Sequence, residues 1–405
     1  MAKRILLAAS LISASMAQAQ QPATTIYLNQ VGFYPSAPKA AAVSGATGSA
    51  FFVVDATSGD TVYRGTLGPE QPSLNSSLRV RSAAFSSLQK GGRYRLVVPG
   101  GEPSYPFLIG NDVHRAAGIA VLKGFYFQRS NGVLEERYAG RWQRPSGHPD
   151  TAALIHPSAA SQRRPAGTVI SSPGGWYDAG DYNKYIVNSG ITMGTLFSAY
   201  EDFPAYYKGL NAGIPESSDA VPDVLNEALY NLRWMMTMQD PGDGGVYHKL
   251  TNASFDGMVM PGVTKDPRYV VQKGTAATLD FAAVMAQGAR IFKAFEKQLP
   301  GLSDSCLRAA TSAWSWCTKN PKLRYNQSRI SASFQPPVFT GEYGDSRFGD
   351  EWLWAAAELF ATTSNRNYFD TVVAHLKDPV SIPSWAGVEM LGYYTLVRHG
   401  SRLPP

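Results

Sequence analysis

Cysteine is nearly absent: Cys306 and Cys317 are the only two in 405 residues. They lie eleven apart in a stretch that reads as helical, which places them on one face but ~16 Å apart along the axis. A disulfide needs Cα atoms within about 7 Å, so the spacing excludes a bridge and both are expected to be buried free thiols. Charge is also sparse, at 17% of residues with a net of +6. The basic residues are dispersed and form no stripe with interleaved aromatics, which argues against a nucleic-acid partner. His114, His156, His375 and His399 show no metal-ligand spacing. No segment approaches the ~20 apolar residues that span a bilayer. A shorter apolar run, from Ile5 to Met16, follows Lys3 and Arg4 and precedes Ala17-Gln18-Ala19, the pattern of a secretory signal over residues 1–19. The expectation is an exported protein, extracellular or periplasmic, starting near Gln20, monomeric and without a membrane partner.

What the chain has is apolar and aromatic side chains, 44% and 12% of residues, enough for more than one sizeable core. Residues 25–110 carry short β-rich runs at 51–55, 61–65, 78–85 and 94–99. Turn signals such as Ser58-Gly59-Asp60 and Gly91-Gly92 separate them, the pattern of a β-sandwich. From residue 112 to the end at 405 the pattern becomes helical. Val224, Leu225, Ala228, Leu232 and Met235 form one stripe behind Pro222, a residue suited to a first helical turn. Helices are expected near 113–128, 184–202, 221–239, 275–292, 304–319, 350–363, 366–377 and 384–398. The predicted fold class is therefore multidomain, an all-β sandwich followed by an all-α domain.

The segment GGWYDAGDYNKY places Asp178 and Asp181 three apart among Trp176, Tyr177, Tyr182 and Tyr185. Two carboxylates on a loop beside aromatic rings suit glycoside hydrolysis, which uses carboxylates as base and acid and packs sugar faces on rings. The local alternative is structural: Asp181 as cap of a helix starting near Asn183, and Asp178 in an Asx-turn. A calcium loop is a third reading, short of the fuller ligand pattern.

GGWYDAGDYNKYIVNSG resembles the signature of glycoside hydrolase family 9, the inverting cellulases. IYLNQVGFYPSAPKAAAVSG (26–45) is similar to the start of the immunoglobulin-like domain that precedes many of them. The segments at 138–150, 221–250, 259–287 and 340–363 follow the same family in order. The resemblance implies an (α/α)6 barrel with a groove at one end. It implies Asp181 as general base and Asp178 as the residue that orients the attacking water; Trp176 and Tyr182 beside them, and His248 on a loop after a helix, are the candidate substrate-binding residues. It further implies a secreted endo-β-1,4-glucanase acting on cellulose, cello-oligosaccharides or mixed-linkage glucan, with no required cofactor. Asp345, Asp350 and Glu351 in YGDSRFGDE mark a candidate structural calcium site, or a helix start where acidic residues favour the dipole. The zinc site of related enzymes corresponds to Ser130, Gly147, His148 and Tyr177; one imidazole makes no tetrahedral site, so no zinc is expected. The family's catalytic glutamate lies in a C-terminal segment this sequence lacks, and none of Glu342, Glu351, Glu358 and Glu389 sits in its motif. The C-terminal part of the barrel is thus expected to be missing. The competing readings are a glucan-binding protein without hydrolysis and an exo-acting relative.

Overall fold

The computed structural model describes residues 23–376 and 380–404; the proposed signal at 1–19 lies outside the described residues. The chain divides into two compact units, one up to Gly118 and one from Ile119.

The first unit holds eight strands: β1 (Thr25–Tyr27), β2 (Ala40–Ser44), β3 (Ala50–Asp55), β4 (Thr61–Thr66), β5 (Gln71–Pro72), β6 (Arg79–Ala84), β7 (Gly92–Val97) and β8 (Phe107–Ile109). They form two four-stranded sheets, ordered β1-β2-β6-β5 and β4-β3-β7-β8. Period-two burial explains the sandwich: Ala41 and Val43, Phe51 and Val53, and Tyr94 and Leu96 point inward while their neighbours do not. Phe33, Phe85 and Phe107 meet edge-on or tilted in that core at centroid distances of 5.4–5.5 Å.

The second unit is helical. Its helices are α1 (Arg115–Gln128), α2 (Glu136–Ala139), α3 (Ile186–Asp202), α4 (Pro204–Lys208), α5 (Asp223–Thr237), α6 (Thr275–Phe292), α7 (Leu302–Lys319), α8 (Gln327–Ser333), α9 (Gly349–Thr363), α10 (Arg366–His375) and α11 (Glu389–Arg398). Nearly every residue of α6 is buried, because α3, α7 and α9 pack around it. Its many alanines let those neighbours approach. Gly194 does the same on α3, where a Cβ would stand 2.6 Å from the Trp354 ring of α9. α11 packs on α9 and reaches α3, where Arg398 pairs with Asp202 at 2.7 Å. Cys306 and Cys317 are buried free thiols. No helix among the described residues is long and apolar enough to cross a membrane.

Strand pairing between distant loops completes the unit. β9 (Ala153–Ile155), β10 (Val169–Ile170), β11 (Lys184–Tyr185), β12 (Lys249–Thr251) and β13 (Tyr269–Val270) form a sheet ordered β10-β9-β13-β12-β11. β11 runs directly into α3 and pairs with β12, Tyr185 opposite Lys249. The loops that precede α3, α6, α9 and α11 carry the residues considered next.

Candidate active site

The loop before α3 is built by its glycines and closed by its own backbone. Gly174 and Gly175 have φ of 78° and 80°, a region that side chains rarely adopt. A Cβ on Gly175 would also stand 2.7 Å from the Trp234 ring. The turn presses Trp176 into the fold, and the Asp178 amide then donates to the Asn183 carbonyl at 3.1 Å. Both aspartates thus sit on a short closed loop ahead of α3.

Their side chains have different company. Asp178 Oδ1 accepts from Asn188 Nδ2 at 2.6 Å and Oδ2 from Tyr343 Oη at 2.8 Å. Asp181 Oδ2 accepts from Asn183 Nδ2 at 3.0 Å and from Tyr185 Oη at 2.7 Å. Asp181 Oδ1 is buried and accepts nothing from the protein. The structural alternatives fail on this geometry. The residue that caps α3 is Tyr185, without a side-chain cap, so Asp181 caps nothing. Asp178 binds side chains rather than the local backbone of an Asx-turn.

Burial pushes the Asp178 carboxyl up, Tyr343 and Asn188 pull it down by hydrogen bonding, and the Asp181 charge adds to the rise. Burial and its bond to Asp178 push the Tyr343 phenol up to about 12, and burial with the Asp181 charge raises Tyr185 further. Both phenols are therefore fixed donors to the carboxylates at any ordinary pH.

Two expected sugar contacts are framework residues instead. Trp176 is buried, its indole Nε1 donating to Glu227 Oε1 at 2.8 Å and its ring 4.9 Å from Phe125. Its face is spent on the core and offers no platform. His248 is 1% exposed. Its Nε2 lies 2.8 Å from the Glu342 carbonyl oxygen and its ring stacks on Tyr325 at 3.9 Å. Burial pulls it down to about 3, so it is a neutral strut. Tyr182 is half-buried against Tyr177 and His148, with its hydroxyl on the Val259 carbonyl, and keeps a partly open face next to Asp181.

The structure adds residues that local sequence did not single out. Tyr343 arrives from the loop before α9 with φ of 45°, a strained value for a tyrosine. Trp385, from the loop before α11, packs on Tyr343 edge-on at 5.3 Å and is 37% exposed. It is an aromatic face on the Asp178 side of the site. Neither stands near the aspartates in sequence, so only the fold reveals them.

The predicted calcium ligands do not make a ligand shell. Among the described residues no three His, Cys, Asp or Glu side chains are grouped to hold a metal ion. Asp345 Oδ1 is taken by the Arg347 amide at 2.8 Å and by that of Ser346. Asp350 Oδ2 accepts from the Val388 amide at 3.1 Å. Glu351 is buried; burial with the Asp280 and Asp350 charges raises it well above the usual carboxylate range, and burial with the Asp350 and Asp345 charges does the same to Asp280. At the positions that resemble a zinc site, the Tyr177 hydroxyl fills the space. It donates to the Ser130 carbonyl at 3.0 Å, accepts from the His148 amide at 3.2 Å and lies 3.0 Å from His148 Nδ1. A Cβ on Gly147 would collide with it.

A β-sandwich ahead of a helical unit, with paired aspartates on the loop before α3, sets the class of architecture: a two-unit chain with a carboxylate pair on its helical part. Comparison with known proteins narrows the class. Residues 116–399 match glycosyl hydrolase family 9 and residues 21–103 match the cellulase N-terminal Ig-like domain. The chain belongs to glycosyl hydrolase family 9, whose solved members are (α/α)6 barrels. It is 45% identical over 382 residues to a xyloglucan-specific endo-β-1,4-glucanase of Bacteroides ovatus, covering 94% of this chain and 65% of that one. It is 34% identical to endoglucanase D of Acetivibrio thermocellus, covering 91% of this chain and 57% of that one. A solved Bacteroides ovatus family 9 structure superposes with a TM-score of 0.90 at 45% identity, covering 94% and 69% of the two chains. The chain thus spans less than two thirds of the length of those two relatives.

Proposed function

We propose that the chain is part of an exported endo-β-1,4-glucanase that hydrolyses β-1,4-glucan, xyloglucan included, by a single inverting displacement. The observation that carries this is the division between the two aspartates. Asp178 has both oxygens engaged and is a fixed anchor. Asp181 has one oxygen held by Tyr185 and Asn183 and one buried oxygen with no protein donor, a ready acceptor for the proton of an attacking water. Trp385 and the open face of Tyr182 supply aromatic surface for the sugar. The chemistry needs carboxylates and water and no cofactor. Xyloglucan enters the reading through the 45% identical relative, and export through the pattern of residues 1–19.

No described glutamate is placed as the acid. Glu358 is tied to Arg290 at 2.7 Å and Thr395 at 2.5 Å, Glu389 to Ser381, and Glu342 Oε1 accepts from the Gln327 amide at 3.2 Å. Glu351 is buried toward Asp280. This favours one second reading, glucan binding with little hydrolysis by this length of chain. One experiment separates the two. The endoglucanase lowers the viscosity of soluble xyloglucan or mixed-linkage glucan quickly while releasing new reducing ends. A binding protein shows calorimetric heat with cello-oligosaccharides and no new ends. An exo-acting enzyme releases ends with little fall in viscosity.

A further inference from the structure

Lys249 is a buried ammonium whose partners are unusual for a charge. Its three hydrogens have three acceptors, all neutral: Gln327 Oε1 at 2.6 Å, Thr340 Oγ1 at 2.8 Å and the Gly341 carbonyl at 2.6 Å. Its Nζ lies between two rings, 5.5 Å from Tyr185 and 5.6 Å from Tyr325. The carboxylates that act on it are further out, Asp181 first and then Glu342. Burying an ammonium without a bonded counter-ion is costly, so such a group persists when something else depends on it.

What depends on it is one hydrogen bond away. The Gly341 carbonyl is held by Lys249, and the Gly341 amide donates to Tyr185 Oη at 3.2 Å. Tyr185 Oη in turn donates to Asp181 Oδ2 at 2.7 Å. Tyr185 and Lys249 also face each other across the β11–β12 ladder. A single hydroxyl is thus held between the Gly341 amide and the Asp181 carboxylate.

We propose that Lys249 is a positioning residue for the base: through Gly341 and Tyr185 it fixes the aim of the Asp181 carboxylate. The proposal rests on the reading of Asp181 as base. Other groups face this centre from each neighbouring element. His248, next to Lys249 on the same strand side, is neutral. Glu342 and Tyr343 come from the loop before α9, Tyr325 from the turn before α8, and Asp178 from the loop before α3. Lys249 is the buried cation among them. Burial pulls its ammonium down to about 7, and the Asp181 and Glu342 charges oppose that fall.

The test compares Lys249→Met, Lys249→Arg and Tyr185→Phe in the full chain, on soluble β-glucan, with a crystal structure of each. Lys249→Met is expected to lower kcat roughly 10- to 100-fold with KM changed less than about two-fold. Tyr185→Phe is expected to lower kcat similarly, and the double variant to lose little more than either alone. Lys249→Arg, which keeps the charge and the donors, is expected to recover part of the lost kcat. If Lys249→Met does not fold, Lys249→Arg and Tyr185→Phe carry the test. An unchanged kcat in every folded variant, or KM and kcat falling together with stability alone, overturns the proposal. Should the parent chain release no reducing ends, the activity reading fails by itself, and the crystal structures decide the positioning. Tyr185 Oη displaced beyond hydrogen-bond reach of Asp181 in Lys249→Met supports it, and an undisturbed bond overturns it.

Discussion

Asp178 and Asp181 share a side chain and a loop, and their roles differ only through the groups that reach them. Tyr343 gives Asp178 its second hydrogen bond and pulls its raised carboxyl back down. Tyr343→Phe should therefore protonate Asp178 more readily. The expected outcome is a roughly ten-fold lower kcat near pH 5, recovering toward pH 8, with little change in KM; a pH series of initial rates checks it. His248 gives a second prediction. Its folded pKa is about 3 against an ordinary 6.5, so the neutral form is the one the fold accepts. Its contribution is fully present above pH 6.5 and is lost as pH falls toward 3, at about 1.4 kcal/mol per unit. A His248→Gln variant should show a shallower loss of denaturant stability between pH 6.5 and 4 than the parent. At this scale the aspartates were legible, because paired carboxylates amid glycine and rings are distinctive in a sequence. Trp176 and His248 misled, since an indole or imidazole looks the same on paper whether it meets a sugar or Glu227 and the Glu342 carbonyl.

Among the elements, the long helices were legible from their apolar stripes, and their ends fall within a few residues of the expected positions. The five-stranded sheet between loops was not. Its strands are two or three residues long and paired across gaps of up to about a hundred residues, too short for any alternation to register. That sheet aligns Lys249 with Tyr185, so the hydrogen-bonded chain from Lys249 to Asp181 was hidden with it. The loop that carries Tyr177 offers a test of packing. Tyr177→Phe removes a hydroxyl with three polar partners and should cost about 1–3 kcal/mol in urea unfolding. Gly147→Ala should be destabilising in the parent and less so in Tyr177→Phe, where the colliding oxygen is gone; a double-mutant cycle measures the difference. The pair formed by Asp280 on α6 and Glu351 on α9 offers another. Both carboxyls are raised, so their contribution is present at low pH and is lost as pH rises through the raised values. Asp280→Asn should raise Tm at pH 7–8 and flatten the pH dependence, and a chelator should leave the parent's Tm unchanged. A calcium ion bound there would reverse both results.

For the whole molecule, the two-unit plan was readable because composition changes sharply between β-rich runs and helical stripes, and because the family pattern runs through nearly all of it. On the function proposed above, what the helical unit does depends on one proton transfer at one loop. The most direct test is the initial rate of reducing-end release from soluble β-glucan by the parent chain and by Asp181→Asn, with cello-oligosaccharide binding measured alongside. The account expects the rate to fall at least about a thousand-fold while binding stays within a few-fold. A variant that keeps most of the parent's rate would contradict it.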